Sequence, residues 1–242
     1  MDYSNLAKRL VGWIRDQVLS AGQKGVVLGM SGGLDSSVVA VLCRRAFPQD
    51  MVGLIMPCYS CGEDAEHARS LAAKFSIPTK EIVLDSGFDI MLGSLGDKDK
   101  NSVSSRTAEA NLKARLRMVS LYFYANQYAY TVVGSGNRCE LAIGYFTKYG
   151  DGGVDILPLG NLVKAQVRQL GIFLEIPQCI IEKPPSAGLW PGQSDEEEMG
   201  LSYEVLDRYL LTGKAPEGIK EKIEAKIAAS KHKLLPPPVA LF

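Results

Sequence analysis

Seven residues, Ser31-Gly32-Gly33-Leu34-Asp35-Ser36-Ser37, stand between the apolar run Val26 to Leu28 and a second apolar run that begins at Val38. A strand that turns into a helix this way presents free N–H groups and a partial positive charge, which suit phosphate. The two glycines let backbone N–H groups approach phosphate oxygens with no Cβ between them, and the three serines add hydroxyls. Asp35 would repel phosphate unless a cation lay between them, and carboxylate plus phosphate oxygen is the usual surrounding of Mg²⁺. A Walker loop is excluded because no lysine follows the glycines. A dinucleotide fingerprint is excluded because neither Gly32-Gly33 nor Gly134-Ser135-Gly136 has its spacing. A glycine turn with a Ser/Asp helix cap is the plainer reading, but a cap needs neither two glycines nor three hydroxyls.

The elements that must position this turn follow from periodicity. Leu6, Leu10, Trp13, Ile14, Gln17 and Val18 recur at helical spacing, which predicts a helix over 4–20. Strands are expected at 26–28, 51–56, 81–84 and 130–133, and helices at 36–46, 64–75 and 108–129. Such alternation predicts an α/β fold, a parallel sheet sandwiched by helices, with ligands bound beyond the C-terminal strand ends where the Ser31 turn falls. After Gly134 the chain reads as irregular and rich in Gly and Pro. Residues 202–229 read as helical with a break at 213–218, and the tail from Lys231 as extended. The 242 residues are expected to form a single domain, 1–242, with a helical C-terminal part.

Lys plus Arg equals Asp plus Glu at 27 each, so no basic excess points to a polyanion, and no nucleic-acid partner is expected. No run of apolar residues is long enough to span a membrane. The N-terminus lacks the basic and apolar regions of a signal peptide, and the five cysteines are odd in number and scattered. A cytoplasmic protein is the expectation.

The S-G-G-x-D-S pattern resembles the pyrophosphate loop of enzymes that cleave ATP between its α and β phosphates. Further segments follow in order: "NLKARLRM" from Asn111, "GSGNRCE" from Gly134, "GYFTKYGDGGVDILPL" from Gly144, "NLVKAQVRQL" from Asn161, "KPPSAGLWPGQSDE" from Lys183, and His232-Lys233. Together with the loop they closely resemble the ammonia-dependent NAD⁺ synthetases, from about residue 4 to 235. The resemblance implies a Rossmann-like fold of the adenine-nucleotide alpha-hydrolase kind. It also implies ATP-dependent amidation of deamido-NAD⁺ by ammonia through an acyl-adenylate, with AMP and pyrophosphate released.

Carried over position by position, the resemblance implies that Gly29, Met30, Ser31, Gly32, Gly33, Leu34, Asp35 and Ser36 line the ATP phosphates. Ser135, Lys164 and Ser186 would also contact ATP; the family usually has Thr where Ser135 stands, and the hydroxyl is kept. Asp35 and Glu140 would hold Mg²⁺. Arg115, Lys148, Asp155, His232 and Lys233 would contact deamido-NAD⁺. Asp151, near the ammonia site, could orient ammonium or take its proton; with Lys164 it completes the catalytic candidates. Taken singly, Arg115, Arg117, Lys148 and Lys164 read as solvated charges, Asp155 as a turn cap and His232 as an exposed terminal residue. Only their common order argues otherwise.

Cys58 and Cys61 have no second pair at metal spacing and read as structural residues, and Asp195 to Met199 as the acidic start of the next helix. The main rival is an RNA-modifying enzyme on the same loop, either a tRNA thiolase or a lysidine-forming enzyme. A non-catalytic nucleotide sensor is the other. GMP and asparagine synthetases share the loop but carry a glutaminase domain, for which this chain has no length, so ammonia is expected free or from a separate protein. The resemblance also implies a homodimer with the deamido-NAD⁺ site near the interface. The 108–129 helix, with Leu112, Leu116, Val119, Phe123 and Tyr124, is the expected contact. The segments 145–153 and 183–195 are expected to order over substrates.

Overall fold

The computed structural model of the chain describes residues 1–60, 62–95, 103–186, 188, 190 and 192–240. Helix α1 (Tyr3–Ser20) starts where the Asp2 carboxylate accepts from the Asn5 N–H at 3.1 Å, and it buries Ala7, Ile14 and Val18. Strand β1 (Gly25–Gly29) leads through the serine-glycine turn into α2 (Leu34–Ala46), nine of whose residues are buried. Then come β2 (Met51–Ile55), α3 (Gly62–Phe75), β3 (Thr79–Glu81), α4 (Asp85–Leu95), α5 (Val103–Tyr128) and β4 (Tyr130–Val132).

Among the described residues all strand pairings are parallel, in the order β3-β2-β1-β4. The chain steps outward from β1 through β2 to β3, then returns to the other side of β1 as β4. The reversal opens a crevice at the C-terminal ends of β1 and β4, where such sheets bind ligands. One core packs α1, α2 and α3 against the sheet together with residues near 160–181. A second packs Leu121 and Ala125 of α5 under the other face. No helix among the described residues is long and apolar enough to cross a membrane.

The expected β3, 81–84, is displaced. Its ladder covers Thr79–Glu81, and Ile82 and Leu84 only donate single bonds to the Ile55 and Pro57 carbonyls. Pro57 has no N–H to return, so the ladder stops beside it. The second half of the chain is more ordered than its composition suggests. It holds α6 (Arg138–Ile143), α7 (Lys164–Phe173), α8 (Gln178–Glu182) and α9 (Asp195–Met199) before α10 (Tyr203–Thr212) and α11 (Ile219–Leu234). The acidic run at 195 makes a short helix of its own, closed by Gly200 in the left-handed region, rather than the start of α10. The tail is helical as far as Leu234, not extended from Lys231. A third core joins α6, α9, α10 and α11 through Cys139, Met199, Leu206 and Ile223.

Candidate active site

A cleft of about 980 Å³ lies over the C-terminal strand ends, walled by the β1–α2 turn, α5, the segments 133–154 and 183–196, and α10. That volume is at the upper end for small-molecule sites and suits more than one nucleotide.

The turn braces itself. Ser36 and Ser37 both donate to the Gly33 carbonyl (3.0 and 2.8 Å), the Ser31 and Ser36 hydroxyls lie 2.9 Å apart, and Gly33 N–H donates to Ser31 Oγ at 3.3 Å. The Ser36 and Ser37 hydroxyls thus hold the loop rather than stand ready as donors. Gly33, the N-cap of α2, has no side chain with which to cap, so the first-turn N–H groups are left for a ligand. Gly32 has φ +78°, and a Cβ there would lie 2.1 Å from the Asp64 carbonyl oxygen, so only glycine fits.

Three charged side chains meet beside the turn. Asp35 sits in the first turn of α2, where its Oδ2 pairs with Lys164 Nζ from 129 residues away. Its Oδ1 is buried and has no hydrogen-bond partner among the described residues. Glu140 reaches the same place from α6 because a capping box fixes it: Asn137 caps the Cys139 and Glu140 N–H groups, and Glu140 Oε2 accepts from Asn137 N–H at 3.0 Å. The Tyr203 hydroxyl lies between two carboxylates, with Asp195 Oδ2 accepting at 3.2 Å and Glu140 Oε1 at 3.4 Å, and its ring lies 4.9 Å from Lys164 Nζ. Burial and the nearby Asp35 charge push the Glu140 carboxyl up to about 8, against the pull of Lys164. Burial alone would lower the Lys164 ammonium, but Asp35 and Glu140 outweigh it and raise it. Lys164 stands where it does because Asp207 of α10 accepts from Lys164 N–H (3.1 Å) and Ala165 N–H (2.8 Å), capping α7. Cys139 donates to the same carboxylate at 2.9 Å.

Across the cleft, Asp151 Oδ1 accepts from Thr147 N–H at 2.9 Å. Solvent reaches it through the mouth, yet the surrounding protein raises its carboxyl above the usual range. Lys233 donates to the Gly144 and Phe146 carbonyls at 2.7 and 2.8 Å and fastens this wall to α11. Ser135 and Ser186 also line the cleft. Residues 187, 189 and 191 of the 183–195 segment lie outside the described residues.

Four of the expected dinucleotide contacts lie outside the cleft walls. Arg115, Lys148 and His232 form a chain at its outer edge, Arg115 donating to the Lys148 carbonyl (3.4 Å) and Lys148 to that of His232 (2.8 Å). Asp155 stands beside the sheet: its oxygens accept from Tyr122 Oη and Val132 N–H, both at 2.8 Å, and with the backbone of 155–156 they line the outer edge of β4. Cys58 is buried and burial raises its thiol, as expected of a structural cysteine; Cys61 lies outside the described residues. Sequence reasoning missed Asp207, Tyr203, Arg117 and the Asp64–Lys183 ion pair. A helix-capping signal was legible for Glu140 in "NRCE", but nothing in α10 announces Asp207.

Residues 6–237 match the NAD synthase family. The chain belongs to this family. The NH₃-dependent NAD⁺ synthetase of Carboxydothermus hydrogenoformans is 43% identical over 242 residues, covering 100% of this chain and 99% of that protein. One of the same name from Finegoldia magna is 45% identical over 233 residues, covering 96% of this chain and 94% of that one. Among solved structures, NMN synthetase from Francisella tularensis superposes with a TM-score of 0.94 at 36% identity, each chain covered completely. The NAD synthase fold thus accounts for the whole described chain, α6 to α11 included.

Proposed function

We propose that this NAD synthase joins ammonia to the nicotinate carboxylate of deamido-NAD⁺, the last step of NAD⁺ biosynthesis, consuming ATP and releasing AMP and pyrophosphate. The observation that carries the reading is the meeting of Asp35, Glu140 and Lys164 beside a turn whose first-turn N–H groups lack a side-chain cap. A carboxylate is a poor acyl donor until one of its oxygens becomes a leaving group. Its oxygen attacks the α-phosphorus, the bond to pyrophosphate breaks, and ammonia then displaces AMP from the acyl carbon. The α2 N-terminus, Lys164, Ser135 and Ser186 hold phosphate charge as it develops. Asp151 takes the proton that ammonia sheds.

Mg²⁺ fits two of these residues. Asp35 Oδ1 is buried without a partner among the described residues, and burial together with the Asp35 charge suppresses the ionisation of Glu140; a cation would relieve both. Two carboxylates with substrate phosphates are the usual donors for this ion. Bound there, Mg²⁺ supplies charge neutralisation for departing pyrophosphate.

The chain works as one NAD synthase domain, in the cytoplasm, whose reducing conditions suit the free thiols of Cys43, Cys58 and Cys139. It acts as a homodimer, in which Arg115, Lys148, Asp155, His232 and Lys233 serve the dinucleotide near the interface. The position of the first four outside the walls of a single chain's cleft supports this. A second reading, amidation of nicotinate mononucleotide to NMN, is favoured by the likeness to the Francisella NMN synthetase. Purified protein with ATP, Mg²⁺ and ammonium should convert deamido-NAD⁺ to NAD⁺ with AMP and pyrophosphate in equal amounts. Preference for the mononucleotide selects the second reading, and ADP in place of AMP overturns both.

A further inference from the structure

Helix α5 turns a second arginine toward the cleft. Arg115 lies on its exposed side, whereas Arg117, two residues on, lines the cleft wall. Its Nε donates to the Met56 carbonyl at the end of β2 and its Nη2 to Ser60 Oγ, both at 3.1 Å. These two neutral acceptors fix the plane of the guanidinium, and its other N–H groups have no hydrogen-bond partner among the described residues. No ion pair among the described residues includes it. A permanent cation drawn out of water with only neutral partners is costly, and the cost is recovered when an anion binds. The acids that act on it from a distance are Asp151 and Asp64. Asp64 is paired with Lys183, and Asp151 faces the cleft with Thr147 as its fixed partner.

We infer that Arg117 binds the nicotinate carboxylate and makes the site prefer the acid to the amide. The inference rests on the proposed function and adds to it the group that recognises the acyl end of the substrate. A guanidinium can grip a carboxylate through parallel N–H bonds. Held so, one carboxylate oxygen bonds to the α-phosphorus of ATP as the bond from that phosphorus to pyrophosphate breaks. Ammonia then bonds to the acyl carbon, the carbon–oxygen bond to AMP breaks, and the proton lost by nitrogen passes to Asp151. The product amide carries no charge for Arg117 to hold, which favours its release.

Calorimetric titration with deamido-NAD⁺, NAD⁺ and ATP on the full-length protein tests this. Wild type should bind deamido-NAD⁺ about tenfold or more tightly than NAD⁺, the worth of one charge-assisted contact. Arg117→Met should bring the two dinucleotides within about twofold and leave ATP affinity within about twofold. Arg117→Lys keeps the charge but not the fork, and covers failure of the first variant to fold; its preference should fall at least about threefold. Equal weakening of both dinucleotides, an unchanged preference in the lysine variant, or loss of ATP binding with the preference intact would overturn the inference. Turnover of deamido-NAD⁺ by wild type in the same buffer reports on the proposed function separately.

Discussion

Glu140 is buried beside the Asp35–Lys164 ion pair, where the one ammonium is already paired with Asp35 and the site carries more acid than base. Glu140 answers by holding its proton: its carboxyl is pushed up to about 8 from an ordinary 4.5. Between those values the unfolded chain has released the proton and the folded one has not, so Glu140 costs stability increasingly as pH rises through this window. Glu140→Gln keeps the capping box, since glutamine serves at that position too. Without ATP or divalent metal the variant should melt a few degrees above wild type at pH 8, and level with it near pH 4. Its turnover should nevertheless fall at least about 100-fold, the scale of losing one preorganised electrostatic group. Equal melting at both pH values would show that Glu140 is not held in this way. The residue roles were legible unevenly. Asp35 is set by the loop that surrounds it, but Arg117 looks like any helix-surface charge until the fold brings Met56 and Ser60 to it.

At the scale of elements, the site depends on helix termini being fixed. Asp207 holds the start of α7 and so the position of Lys164. Asp207→Ala should cost about 1–2 kcal/mol of stability, as loss of a cap does, and lower kcat more than Asp207→Asn; equal kcat in the two variants would separate the cap from the site. Gly32→Ala should abolish turnover, because its Cβ would meet the Asp64 carbonyl at 2.1 Å and the backbone there has φ +78°; activity within about twofold of wild type would contradict the close approach. Some of these elements were readable. In "KAQVRQL", Val167 and Leu170 are buried at helical spacing, and "NRCE" is a capping box, yet the surrounding glycines and prolines obscured both. Helix α4 was not readable in the same way: it holds two glycines, buries only Phe88 and exposes Ile90, Met91 and Leu95. Its periodicity marks no single inward face.

For the molecule as a whole, the alternation of strands and helices through β4 was enough to give the parallel sheet and to point to its C-terminal edge, where the cleft lies. The third core was hidden because α6, α9, α10 and α11 are short or polar and bury their apolar faces against one another and against the start of α7 at Val163. The outer face of α5 leaves Val119 and Phe123 58% and 63% exposed, the kind of surface that a second copy would cover. Equilibrium sedimentation at micromolar concentration should give a dimer, and Phe123→Glu a monomer with weakened deamido-NAD⁺ binding. A monomeric wild type would remove the shared site. The central claim is that this cleft activates a carboxylate by adenylating it, and ¹⁸O in the nicotinate carboxylate of deamido-NAD⁺ tests it most directly. After turnover with ammonium, AMP should carry one ¹⁸O atom and pyrophosphate none; label in pyrophosphate, or in inorganic phosphate formed beside ADP, would contradict it.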